Sequence, residues 1–459
     1  MDNIQVEDNK NEADRNAASV YTSPTFIIFK TILKSFYRPR KELNDGVLIS
    51  LLGEAVNNSI KWIAITLTGG AIMYSIFRVA TASPPVPNTI RTSNGGEYDP
   101  TDVGLQQAFD NVAGGGDIYL PSNIDIDRMF YFDQLNGINV YGGPTTLNFV
   151  NHTVWYDPQA SVKGYRAVPP GTPNPAPRTT TTWGQKSMDF HKCKNILLKD
   201  ITFTGASNIR FVIEQNANIH LNNVTFYNID RWFTHHADYG SWVSTCGFES
   251  ESGTTISGGV LVENSNITNS TNWGWDSFIR GNDATMENFT YTNCSARGCG
   301  MPVNGVDIIK GYTIDGVWVP ENNNWQDWAV GFGITESYWS PTQLIPTCHN
   351  FAFTDCWSEY NRESGFHSEY RAIENNVTFM RCHSNWNGQK YYSQGFDKGY
   401  MPPGEAYCSG FLGFPDSRYN DFLTDCDAHD NFLYGYEGSN YNTQMSGCTA
   451  SGNGIRDYY

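Results

Sequence analysis

After residue 115 the chain shows almost no helical periodicity. Short runs alternate apolar and polar residues and are cut by Gly, Asn and Asp. Strict alternation marks half-buried strands, and the Gly, Asn and Asp positions mark turns. Four segments near the C-terminus repeat one pattern: NFAFTDCWSEYNRESGF from Asn350, NVTFMRCHSNWNG from Asn376, NDFLTDCDAHDNFLYGY from Asn420 and NTQMSGCTASGNG from Asn442. Each has an Asn, a short alternating run, a Cys and a small polar turn. Their cysteines, Cys356, Cys382, Cys426 and Cys448, lie 26, 44 and 22 residues apart, and 44 reads as two steps of 22. Looser copies start at Asn195, Asn218, Leu261 and Ala284, with Phe203 and Phe226 23 residues apart. One such unit cannot bury a face by itself; stacked copies build a continuous core, which predicts a parallel β-helix. A sandwich would also place strands every 8–12 residues, but it would not require a fixed phase of Asn and Cys.

The segment before the repeats differs. In YDPTDVGLQQAFDNVAGGGDIYLPSN, from Tyr98, Asp102 is placed to cap a short helix with Val103, Leu105, Ala108, Phe109 and Val112 at helical spacing. Gly114–Gly116 stop it, and Asp117–Leu120 reads as a first strand closed by Pro121. This stretch, with the repeats, resembles the pectate-lyase-like right-handed parallel β-helix superfamily. The resemblance spans residues 95–459 and implies a right-handed solenoid behind a cap helix. It implies no single chemistry, since such folds include lyases, glycoside hydrolases, tailspikes and adhesins. Residues 155–187, rich in Pro and Thr, read as a loop leaving the solenoid.

Charge divides the 459-residue chain. Residues 1–82 carry 9 Lys+Arg and 8 Asp+Glu, whereas the remainder carries 21 and 39, most of the net −17. Such an acidic body excludes nucleic acid as a partner, because phosphate binding needs a basic face. Between Lys61 and Arg78 lie sixteen uncharged residues. With snorkelling ends and extension to Ala82 they predict a single transmembrane helix over 61–82, after a cytoplasmic segment 1–60 whose basic residues keep it inside. A leader cleaved after Ala82 is the rival reading. Residues 83–97 then form a linker and 98–459 the solenoid.

Ten cysteines invite a disulfide reading in an exported domain. The repeated Cys argues instead for inward thiols filling a stack, with Cys294 and Cys299 as the pair best placed for a local bridge. Asn-x-Ser/Thr at Asn151, Asn223, Asn266, Asn269, Asn288, Asn293 and Asn376 marks glycosylation candidates, although Asn and Thr are also common in β-helix turns. No metal motif and no cofactor is implied.

Three clusters carry candidate chemistry. If Phe366 points inward like Tyr436, then His367, Glu369 and Arg371 share the outer face as base, acid and charge clamp. The second is the His235-His236 pair within Asp230–Asp238, which also reads as an ordinary loop. In the third, Asp276 and Asp283 form a carboxylate pair beside Trp273 and Trp275. Trp273, Trp275, Trp325, Trp328 and Trp339 crowd the middle of the chain in Asn- and Gly-rich segments, and suit stacking on sugars. Together these residues predict a membrane-anchored outer-surface solenoid that recognises a polysaccharide or surface glycan, on a cell envelope or as a viral attachment protein, with homotrimerisation open. A polysaccharide hydrolase or lyase is the first alternative, and a structural spacer of a virion or surface layer the second.

Overall fold

The computed structural model describes residues 88–150, 188–229, 244–250, 256–279, 284–301, 329–336, 347–368, 373–400, 408–413, 421–438 and 444–458, apart from positions 129, 206, 272 and 394. It also describes strands at 62–68, 71–77, 164–168, 307–314 and 317–320. The chain divides into two compact units, Met1–Pro84 and Pro85–Tyr459.

In the first unit, Trp62–Thr68 pairs antiparallel with Ala71–Phe77, from Trp62↔Phe77 to Thr68↔Ala71. Strands rather than a helix are described at 62–68 and 71–77, within the span 61–82 expected to form a transmembrane helix. The residues there explain the change. Ile63, Ile65, Thr66, Thr68, Ile72, Tyr74 and Ile76 are β-branched or aromatic, and Gly69-Gly70 stands between the two runs. Among the described residues, no helix is long and apolar enough to cross a membrane.

The second unit is a parallel β-helix. One sheet holds ten strands, all paired in parallel. Each strand marks one coil: Phe130–Asp133, Met188–His191, Ile209–Ile213, Ser244–Ser250, Trp273–Ile279, Phe332–Glu336, Phe366–Ser368, Phe411–Leu412, Tyr434–Glu437 and Arg456–Tyr458. The preceding part of each coil belongs to a second parallel stack. From the fifth coil onward its strands come in two segments, such as Thr285–Thr292 with Ser295–Cys299, and Thr347–Thr354 with Trp357–Glu359. Residues 155–187 include one described strand, Gly164–Val168. It pairs antiparallel with Asp307–Ile314, outside both stacks.

Like residues stack on like. Rings in Phe332, Phe366, Phe411, Tyr436 and Tyr458 follow one another at 4.9, 4.8, 5.0 and 5.4 Å. That is close to the spacing of neighbouring strands, so each coil lays one ring on the ring below. Phe203 pairs with Phe226 as their spacing predicts. A polar column runs inside the turns of the last four coils: Asn361 donates to Asn387, Asn387 to Asn431 and Asn431 to Asn453, at 2.9, 3.0 and 3.0 Å. The buried amides satisfy one another, as groups shut away from water must.

The cap helix spans Asp102–Asn111. Thr101, not Asp102, is its N-cap, and its hydroxyl accepts from the Gly104 amide at 3.1 Å. Leu105, Ala108, Phe109 and Val112 are buried, and Phe109 meets Phe132 at 4.1 Å, closing the end of the core.

All ten cysteines are free thiols, nine of them buried. The Cys294–Cys299 bridge does not form. Burial pushes the Cys299, Cys356 and Cys382 thiols far up, so they behave as small hydrophobes. The 44 residues from Cys382 to Cys426 make one coil, not two, because His383 pairs directly with Asp427. The surplus contains a short helix, Gln389–Ser393, and an excursion.

Candidate functional site

The ten-strand sheet brings two of the predicted catalytic residues onto one outward row. Asp276 pairs in register with Gly333, and Gly333 with His367. Phe366 points inward and stacks on Phe411, which turns His367 outward as expected. Both groups are nonetheless shut away from solvent, at 1% exposure for Asp276 and 6% for His367. The Thr335 hydroxyl donates to Asp276 Oδ1 at 2.8 Å. Two strand spacings separate Asp276 from His367, about 10 Å between backbones, so no direct pair forms. Glu369, Arg371 and Asp283 lie outside the described residues, as do Asn151 and the Asp230–Asp238 cluster.

The same face holds a carboxylate pair that sequence reading missed. Glu249 and Asp276 sit on adjacent strands, two residues out of register, about 8 Å apart by strand geometry. Glu249 is however held by Arg210, whose Nε donates to Glu249 Oε2 at 2.5 Å and whose NH1 donates to Asp189 Oδ2 at 2.8 Å. Burial pulls the Arg210 pKa down, but the two carboxylates raise it further and keep the guanidinium charged. This trio is a buried structural ion cluster. Further along the row, burial raises the Glu437 carboxyl to about 7, against a Ser409 hydroxyl that donates to it.

Of the five tryptophans expected to stack on sugars, the two described ones are buried. Trp275 lies inside the coil, edge-on to Phe226 and Tyr291, with Nε1 donating to the Ser295 carbonyl at 3.0 Å. Trp273 is buried against Ala329 and Val330. Neither ring meets solvent, because both faces of their strand are covered. Trp325, Trp328 and Trp339 lie outside the described residues.

An exposed ring occurs elsewhere, on the second segment of coil seven. One column reads Asn266, Ser295, Trp357, His383, Asp427 and Thr449 in consecutive register. Each of the last four follows a stacked cysteine directly and so points outward. Trp357 is 43% exposed, and its ring stacks on His383 at 3.7 Å with a 21° tilt. The imidazole is in turn paired with Asp427. The opposite face of the indole looks down the column to Ser295, too small to cover it. Ser295 Oγ donates to Asn266 Oδ1 at 2.8 Å. The result is a shelf with Trp357 as its wall and Ser295 and Asn266 as its floor.

The neighbouring turn adds two more rings. Most coils place Asn, Asp or Gly there in the left-handed conformation, as at Asn228, Asn269, Gly298, Asp430 and Gly452. Coils seven and eight place Tyr360 at φ 54° and Trp386 at φ 58°. Large aromatic residues adopt this conformation only at a cost of about 1–2 kcal/mol. Their rings are nearly parallel, 6.2 Å apart, and the Arg297 guanidinium lies 4.9 Å from the Tyr360 centroid.

Most glycosylation candidates are explained as turn positions. Asn223, Asn269, Asn288, Asn293 and Asn376 all have positive φ. Asn223, Asn269, Asn293 and Asn376 each donate Nδ2, the nitrogen a glycan would take, to a neighbouring coil. Asn266 lies in a strand and accepts from Ser295.

No known protein family matches the sequence. No curated protein sequence matches it either. Among solved structures the chain is similar to a lacto-N-biosidase of glycoside hydrolase family 136 from Eubacterium ramulus, at 9% identity and a TM-score of 0.31. The overlap covers 73% of this chain and 60% of that one, so the chain spans less than two thirds of that protein. It is also similar to the surface protein and adhesin PfbA of Streptococcus pneumoniae, at 10% identity and a TM-score of 0.24, over 78% and 95% of the two chains. The architecture rests on the ladders themselves.

Proposed function

We propose that this parallel β-helix is a carbohydrate-recognition solenoid whose binding site is the Trp357 shelf. The observation that carries the reading is the exposed aromatic group itself. Two large rings, half-buried Tyr360 and exposed Trp386, hold a turn conformation that Asn or Gly adopts at less cost, and a third, Trp357, is 43% exposed on the adjoining column. Backbone strain kept at an exposed site points to use rather than to stability. A sugar ring presents an apolar face to an indole and hydroxyls to its edges. Trp357 supplies the first contact, and Ser295 and Asn266 supply polar partners for the second. The shelf stands on a rigid stack, so little entropy is lost on binding.

The opening segment supports placement with the right-handed pectate-lyase-like solenoids, since its helix, Gly-rich turn and first strand close the core in the order that resemblance implies. Hydrolysis is the weaker reading. The described carboxylates Glu249 and Asp276 on adjacent strands are buried, and Glu249 is bound to Arg210.

A glycan array probed with the full chain and with Trp357→Ala tests the proposal. Binding to a subset of glycans by the wild type, lost in the variant, is expected. Equal binding by both proteins, or new chain ends released from the bound glycans, would overturn it.

A further inference from the structure

The shelf has a charge that its own residues leave unspent. Arg297 belongs to the strand Ser295–Cys299, two residues beyond Ser295 on the same outward face, about 7 Å along the strand. It is exposed, and its register partner on the next coil is Glu359. Among the described residues Arg297 forms no ion pair; its guanidinium lies over the Tyr360 ring instead. Other exposed cations nearby are engaged. Arg381 grips Asp355 through two hydrogen bonds of 2.6 and 2.7 Å, and Lys398 pairs with Asp430 at 3.1 Å. The contact with the Tyr360 ring uses none of the guanidinium's N–H donors in an ion pair, and a planar guanidinium edge matches a carboxylate or sulfate.

Resting on the carbohydrate reading above, we infer that the shelf selects an anionic sugar: the sugar ring stacks on Trp357 while its carboxylate or sulfate is held by Arg297. The distance from Ser295 to Arg297 is within the reach of a substituent on the stacked ring. Glu359 faces the same point and opposes the anion, which tunes selectivity rather than creating it.

The experiment uses the full chain with two matched pairs of probes, measured by titration calorimetry. One pair is a hyaluronate oligomer and its carboxyl-reduced form; the other is a carboxyl-reduced chondroitin sulfate oligomer and the same carboxyl-reduced oligomer after desulfation. The pairs separate carboxylate from sulfate. At least one acidic probe is expected to bind about tenfold more tightly than its neutral counterpart, the scale of one charge-assisted contact. Arg297→Gln removes that preference, Glu359→Gln enlarges it, and Trp357→Ala weakens both members of the pair. Equal binding of acidic and neutral forms, absence of binding to any acidic probe, or a preference that survives Arg297→Gln overturns the inference. Loss of neutral binding in Trp357→Ala would leave the carbohydrate reading standing in that case. Unchanged binding of both forms in Trp357→Ala removes the shelf itself.

Discussion

The Trp357 indole and the His383 imidazole stack at 3.7 Å between adjacent coils, and Asp427 on the following coil pairs with the same imidazole. The column makes each residue the support of the one below it. Asp427 orients His383, and His383 holds the indole across the shelf. Asp427→Ala is therefore expected to weaken glycan binding by a few fold, less than Trp357→Ala does, because it loosens the wall without removing it. Calorimetric affinities of the two variants check this. Asp427→Ala binding as tightly as the wild type would show that the support is unnecessary.

Trp386 offers a test of strain. Its φ of 58° is unfavourable for an indole and easy for Asn. Trp386→Asn relieves about 1 kcal/mol of backbone cost and gives up about 0.5 kcal/mol of ring contact with Tyr360. The variant should melt at the wild-type temperature or slightly above it. A clear fall in Tm would mean that the ring stabilises the turn it strains.

The Arg210 cluster behaves in the opposite way. Its guanidinium neutralises Asp189 and Glu249, both nearly buried. Arg210→Met leaves two carboxylates facing each other without a cation, and about 3–5 kcal/mol of stability should be lost. Denaturant unfolding measures it. A companion triple variant, Asp189→Asn with Glu249→Gln and Arg210→Met, should recover much of the loss. Failure to recover would mean that the damage comes from packing.

Glu437 predicts a pH effect. Burial raises its carboxyl from 4.5 to about 7, so the folded chain holds a proton that the unfolded chain has released between those values. Its contribution is fully present below about pH 4.5 and is lost as pH rises through about 7. Glu437→Gln should therefore gain stability relative to the wild type at pH 8 and show little difference at pH 4.5. Paired Tm values at the two pH values are the check. An equal offset at both would remove the titration from the account.

How much of this was legible beforehand depends on the column considered. The phase of Cys356, Cys382, Cys426 and Cys448 located one inward column and with it the solenoid. The step from Cys382 to Cys426 misled, because an insertion after Asn387 lengthens one coil by a whole repeat's worth of residues, and length alone cannot distinguish an excursion from a second coil. The hairpin at 62–77 was written in its β-branched residues and Gly69-Gly70, but the absence of charge made a helix look more natural. The alignment of Phe366 with Tyr436 pointed His367 outward, but its sharing a row with Asp276 was not read from the sequence. Their burial was not readable, since outward residues are usually solvated and only tertiary structure reveals a covered face. Trp275 looked exposed because Gly274 and Asp276 flank it, yet alternation sends it inward. The aromatic residues of the shelf carried a usable signal: Trp357 follows a stacked Cys immediately and must point out. Trp386 carried a weaker one, as the occupant of a turn position that other coils give to Asn, Asp or Gly.

The central claim concerns one surface, and oxidative footprinting tests it most directly. The full chain would be exposed to hydroxyl radicals with and without the tightest glycan from the array, and oxidation read residue by residue by mass spectrometry. The account predicts protection of Trp357 and Tyr360 on binding, with Tyr131 and Tyr458, exposed on other coils, unchanged. Protection confined to residues away from the shelf, with Trp357 oxidised equally in both states, would contradict it.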